Sequence, residues 1–176
     1  PQDILHSWCG TRTLVEHNEE KSQQLSRDYK INLCIKPAPT LLIYGGKLTT
    51  YRQLACEAMD ALKNIFPQLK PCRTAEVPLP GSQPPDSIDF HAYLSQLNER
   101  YSWLEKATRM RLLKEYGTRV DIMLKHCDCI NDMGQDFGHG LYQIEVDYLM
   151  KEEWACNAED ILWRRTQLGL IFNDKE

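Results

Sequence analysis

The sequence predicts an α+β chain that is mainly α, with a small α/β segment ahead of an all-helical region. Three observations carry that prediction. Runs of β-favouring residues broken by glycine and proline are confined to the stretch before Tyr44. Pro78, Pro80, Gly81, Pro84 and Pro85 mark a single shift in composition. From Asp89 onward, apolar residues recur at helical spacing. The expected division is an α/β segment over 1–75, a linker over 76–88 and an all-α domain over 89–176.

Residues 4–15, ILHSWCGTRTLV, suggest a strand, a turn at Gly10 and a short second strand. The polar stretch 16–24 reads as a loop. Residues 26–35, SRDYKINLCI, partly alternate polar with apolar and predict a strand. Lys36-Pro37-Ala38-Pro39 is a turn, because each proline holds its predecessor extended. Thr40–Tyr44 is the next strand. Leu54, Ala55, Ala58, Met59, Leu62 and Ile65 then make one face of a helix over 48–66, stopped by Pro67. These strands are too few for a closed sheet, so they are expected to belong to a larger one.

After the linker, 89–99 and 103–116 each carry a helical apolar stripe, and Gly117 is a natural stop. A third helix is expected over 118–126, with Val120, Ile122, Met123 and Leu124. Gly134, Gly138 and Gly140 mark 131–140 as a loop. In the helix 141–154, Tyr142, Val146, Leu149 and Met150 share a face, while Glu145, Asp147, Lys151 and Glu152 supply charge. Asn157 is the expected N-cap of a last helix, with Glu159 and Asp160 in its first turn and Ile161, Leu162 and Leu168 as its apolar residues.

Composition narrows the function. Apolar residues make up 42% and charged residues 26%, as in an ordinary globular protein. A net charge of −4 and a pI near 5.8 argue against a general nucleic-acid binder. The seven cysteines, an odd count, are scattered without disulfide-scaffold spacing, which points to a reducing compartment. No apolar run reaches the ~20 residues of a membrane span, which leaves surface association open. Pro1 leads directly into structured-looking sequence, so the chain reads as a piece of a longer protein.

The run TLLIYGGKLTTYR, residues 40–52, holds the densest functional signal. A strand ends in Gly45-Gly46, where backbone can approach a ligand with no Cβ in the way. Lys47 adds a positive charge, and the start of a helix adds unpaired N–H groups. By itself the tripeptide also fits a plain strand-to-helix turn. Arg12 and Arg27 by themselves fit surface arginines. His126-Cys127-Asp128-Cys129 invites a metal, but tetrahedral ligation needs a second cluster, and His139 and Cys156 form no recognised pair; no metal is assigned. Trp103, Trp154 and Trp163 on helical faces are read as core residues, and Arg164-Arg165 as last-turn cations.

Several ordered motifs carry a resemblance. SWCGTRTL, SRDY, YGGKLTTYRQLA, VPLPG, EYGTR and the run EVDYLMKEEWACNAEDILWRRTQLGL together resemble the C-terminal portion of the FAD-dependent, quinone-linked glycerol-3-phosphate dehydrogenase family. Cys9, Thr13 and Cys56 depart from its commonest letters. The resemblance implies that 1–75 is the end of a flavin- and substrate-binding domain. It implies oxidation of sn-glycerol 3-phosphate to dihydroxyacetone phosphate, with electrons passing from FAD to a quinone. It places Arg12 and Arg27 on substrate-binding arginines, Lys47 on a catalytic lysine beside the flavin, and Gly45, Gly46, Lys47, Leu48 and Thr49 on the turn that contacts the ring. It also implies a cytoplasmic protein, with peripheral contact on the inner face of the cytoplasmic membrane and a homodimer as further options. The GxGxxG fingerprint for the FAD pyrophosphate does not occur in the sequence, so this stretch alone is expected to be inactive. Two other readings remain: a non-catalytic helical interaction module, and a related flavin oxidoreductase acting on another small anion.

Overall fold

A computed structural model describes residues 4–11, 28–82 and 89–173. The fold is α+β and mainly helical, in two compact units: one within Ser7–Pro78, the other from Leu79 onward together with residues 4–6.

In the first unit, β1 (Lys30–Cys34) and β2 (Thr40–Tyr44) form an antiparallel hairpin, with Lys30 opposite Tyr44 and Cys34 opposite Thr40. The connection is the proline turn, and the Thr40 hydroxyl donates to Ala38 O at 3.1 Å. Ile31 and Leu33 are half-buried while Lys30 and Asn32 face solvent, as a half-covered strand requires. A 3-10 turn, Leu48–Thr50, leads into α1 (Tyr51–Leu62), whose buried residue is Ala58. Residues 4–11 are irregular rather than extended pairs; among the described residues no strand lies alongside them.

Cys56, on α1, and Cys72 form a disulfide, with Cα atoms 5.8 Å apart and a sequence separation of 16. The scattered spacing of the cysteines gives no sign of this pairing. The Thr74 hydroxyl lies 3.3 Å from one sulfur and 3.1 Å from the other. Closing a loop of that length restricts the unfolded chain by about 3 kcal/mol. Cys56→Ser is therefore expected to lower this unit's unfolding free energy by about that amount. A reductant should produce the same loss in the wild type and none in the variant, as read by urea denaturation.

The second unit is built on α2 (Phe90–Arg100), α3 (Lys106–Tyr116), α4 (Val120–Met123) and α5 (Gln143–Glu152). The Asp89 side chain caps α2, accepting from the His91 and Ala92 N–H groups at 3.0 and 3.2 Å. At the other end, Arg109 takes the loose carbonyls: it donates to the main-chain oxygens of Tyr101, Ser102 and Leu104. α3 begins at Lys106, later than its apolar stripe suggests, because residues 101–104 turn to bury Leu104. Asp121 accepts from Arg100 and from the phenols of Tyr93 and Tyr101. Burial, then that carboxylate, pushes the Tyr101 phenol up to about 12. Leu97, Leu112, Leu124, Met133 and Leu149 form the centre of the core.

The linker motif and the EYGTR motif meet here. The Thr118 N–H donates to Gly81 O at 3.0 Å, and Gly117 turns back on itself at φ +53°. A Cβ on Gly117 would overlap that same carbonyl oxygen, so no side chain fits.

The run 131–140 contains a 3-10 turn, Ile130–Met133, and a strand, β3 (Asp136–Gly138), paired with β4 (Leu141–Tyr142). Glu145, expected on the charged face of α5, is buried at 1% exposure. Arg111 grips both its oxygens, at 2.7 and 2.6 Å, and Tyr116 donates to it at 2.7 Å. Arg111 also donates to Glu115 and to Gly140 O; its Nε alone has no partner. Burial, followed by the Glu145 charge, holds the Tyr116 phenol far above its ordinary range. Beside this cluster Arg119 donates to the Tyr148 phenol and to Glu152 at 2.8 Å each.

Asn157 is the expected cap: its side chain accepts from the Asp160 N–H at 2.9 Å. The segment it opens is a π-helix, Asp160–Arg165, in which the Thr166 N–H reaches Ile161 O. Trp103 packs against the core, but Trp154 does not. It is 84% exposed, on a left-handed backbone (φ +59°) that ends α5 and swings the side chain outward.

Candidate active site

The open end of the β1–β2 hairpin carries the glycine turn. Gly45 and Gly46 sit at φ +68° and +105°, conformations that L side chains rarely adopt. Lys47 returns to extended backbone (φ −119°, ψ 150°) and opens the 3-10 turn. Thr50 fixes it there: its hydroxyl donates to Lys47 O at 3.0 Å, its N–H to the same oxygen at 3.1 Å, and it accepts the Lys47 N–H at 3.4 Å. The glycine turn thus enters α1 through a 3-10 turn rather than directly.

Gly45, Gly46, Lys47, Leu48 and Thr49 are therefore contiguous on one ridge, the two glycines half-buried and the next three residues exposed; Leu48 is 88% exposed. Arg12 and Arg27 lie outside the described residues. The hairpin register brings a further pair alongside. A Cβ on Gly46 would lie 3.5 Å from the Cβ of Tyr29, and the Lys47 ammonium lies 3.4 Å from Asp28 Oδ1. Partial burial, then the Glu57 carboxylate, raises the Tyr29 phenol above its ordinary range, and Gln53 in turn donates to Glu57 at 2.8 Å. The sequence alone assigns Asp28 and Tyr29 no role. The signal that finds them is the pairing itself: Lys30 opposite Tyr44 puts the two preceding residues beside the turn.

Chemically, the ridge offers bare backbone at two consecutive residues and one cation beside it. That combination accepts the edge of a flat, electron-rich ring, or an anion, without steric competition. It fits one edge of a flavin ring.

Cys127 and Cys129 serve the chain itself. Asp132 accepts from the backbone N–H groups of Asp128 and Cys129, and the Cys127 thiol points at Asp132 O. Among the described residues no three His, Cys, Asp or Glu side chains gather to hold a metal ion. Arg164 pairs with Glu159 and Asp160, and Arg165 donates to Glu153 O. Among the described residues no helix is long and apolar enough to cross a membrane.

A family model for the C-terminal domain of alpha-glycerophosphate oxidase matches residues 72–176. The chain belongs to that family. The matched span contains α2 to α5 and the buried Arg111–Glu145 cluster, so the helical unit is a member of that domain family. Similarity extends ahead of it. A glycerol-3-phosphate dehydrogenase of Pseudomonas aeruginosa is 43% identical over 176 residues, covering 99% of this chain and 34% of the relative. An aerobic glycerol-3-phosphate dehydrogenase of Escherichia coli is 35% identical, covering 97% of this chain and 34% of the relative. A D-erythritol 1-phosphate dehydrogenase of Brucella abortus is also 35% identical, covering 99% and 35%. The chain thus spans about a third of the length of the relatives it matches. The resemblance read from its motifs holds.

Proposed function

We propose that the chain is the C-terminal part of an FAD-dependent dehydrogenase that oxidises sn-glycerol 3-phosphate to dihydroxyacetone phosphate. The observation that carries this reading is the Gly45–Lys47 ridge, in a chain 43% identical to a glycerol-3-phosphate dehydrogenase. FAD, when bound, supplies a two-electron acceptor that no side chain here provides. Gly45, Gly46, Leu48 and Thr49 would lie along one edge of its ring. Lys47 would place positive charge where negative charge builds up on reduction, and orient the substrate. Arg12 and Arg27 would hold the phosphate dianion or the C2 oxygen, since a planar guanidinium matches phosphate with paired donors. A quinone acceptor, a cytoplasmic location with peripheral contact on the membrane's inner face, and a homodimer belong to the same reading. So does the division at residues 76–88, which separates the flavin-domain segment from the helical domain.

A second reading has its own support. The D-erythritol 1-phosphate dehydrogenase is as similar as the Escherichia coli relative, so a longer polyol phosphate is a rival substrate of the same chemistry. Turnover of both phosphates by the full-length flavoprotein, with a dye acceptor, separates the two. Arg12→Ala should lower kcat/KM roughly a hundredfold, two charge-assisted bonds at about 1.5 kcal/mol each. The loss should fall mainly on KM, because the phosphate is held alike before and during reaction. An unchanged KM removes Arg12 from the site. A non-catalytic helical module would show neither turnover nor bound flavin.

A further inference from the structure

We propose that Asp28 is a positioning residue for Lys47, a step that rests on the reading of Lys47 given above. Its Oδ1 lies 3.4 Å from the Lys47 ammonium. Two independent features bring it there. The β1–β2 register ends at Lys30 opposite Tyr44, so Asp28 and Tyr29 run along the glycine turn, and Tyr29 is within van der Waals reach of a Cβ at Gly46. From the other side, Thr50 fixes the Lys47 backbone through three hydrogen bonds. A fixed backbone alone leaves a lysine ammonium free over a wide arc, since its stem has four rotatable bonds. Asp28 supplies the second anchoring point.

The pair is 44% and 73% exposed, so its contribution to folding is slight. Its effect is on direction and charge. The Asp28 side chain holds the Lys47 ammonium on its own side and partly cancels its charge. The carboxylate therefore sets both where the ammonium stands and how much net positive potential the ridge presents to a ring or a dianion.

The test is a double-mutant cycle in the full-length flavoprotein: Asp28→Asn, Asp28→Glu, Lys47→Ala and Asp28→Asn with Lys47→Ala. Two readouts are taken: kcat and KM for the polyol phosphate, and the reduction potential of the bound flavin by dye equilibration. Asp28→Asn should lower kcat roughly tenfold and move the potential upward, because the ammonium loses both its anchor and its counter-charge. Asp28→Glu should recover most of both. In the Lys47→Ala background, Asp28→Asn should change kcat less than about twofold. Equal effects on kcat in the two backgrounds would mean that Asp28 only braces the hairpin, and would overturn the proposal, as would no effect on kcat in either. A wild-type protein without flavin, or without turnover of a polyol phosphate, overturns the functional reading and this proposal with it. A wild type that has both but gives an additive cycle overturns Asp28 alone.

Discussion

Glu145→Gln should cost the helical unit about 3–5 kcal/mol, the largest loss expected of any single change here. The substitution keeps shape and volume, so no cavity forms. What it removes is the charge that Arg111 faces. Arg111 is itself only 17% exposed, and its two bonds to Glu145 are its shortest. Glu115, at 2.9 Å, cannot replace that partner; burial already raises its own carboxyl. Tyr116 keeps an acceptor, but a neutral one. Replacing Arg111 and Glu145 together by methionine and leucine should recover most of the loss, because the penalty comes from an uncompensated charge rather than from the absence of the pair. Guanidinium denaturation of the single and double variants checks this. A Glu145→Gln variant within about 1 kcal/mol of wild type would mean that water reaches the cluster.

Lys47→Ala in the full-length flavoprotein should lower kcat/KM by about 10²- to 10³-fold, the range found when one fixed donor at a site of developing charge is removed. The loss should appear chiefly in kcat, unlike that of Arg12→Ala, because a cation beside the ring acts where charge accumulates during reaction. Flavin content should be unchanged, since Gly45 and Gly46 still present bare backbone. Stopped-flow reduction by substrate, with flavin absorbance recorded beforehand, separates the two effects. Loss of flavin from the variant would reassign Lys47 to cofactor retention.

Much of this architecture was legible in the sequence. Gly45-Gly46-Lys47 between an apolar strand and a helical stripe gave one turn, and Pro37 and Pro39 gave the turn between the two strands, though not their pairing as a hairpin. Asp89 and Asn157 act at helix starts, and Gly117 ends α3 as read. What escaped was whatever depends on partners distant in sequence. A glutamate at position 145 looks solvated until Arg111, 34 residues earlier, is placed opposite it. Its spacing from Leu141 and Leu149, four residues either way, was the available clue that it shares the buried face. Asp28 became visible only through strand register. β3 and β4, three and two residues long, are below the length at which alternation carries a signal. Trp154 follows a helical stripe yet points outward, because the chain leaves the helix through a left-handed residue there.

The Arg111–Glu145 and Arg119–Tyr148 bonds tie α3 and the turn after it to α5. Neither helix exceeds 11 residues, too short to persist alone in water. Each therefore depends on the packing of the shared core and on these bonds, and the two are expected to open together. Amide protons along 106–116 and 143–152 would then share a single exchange barrier, set by the whole domain rather than by local fraying. The carboxylate inside α5 so couples two short helices that are distant in sequence into one cooperative unit.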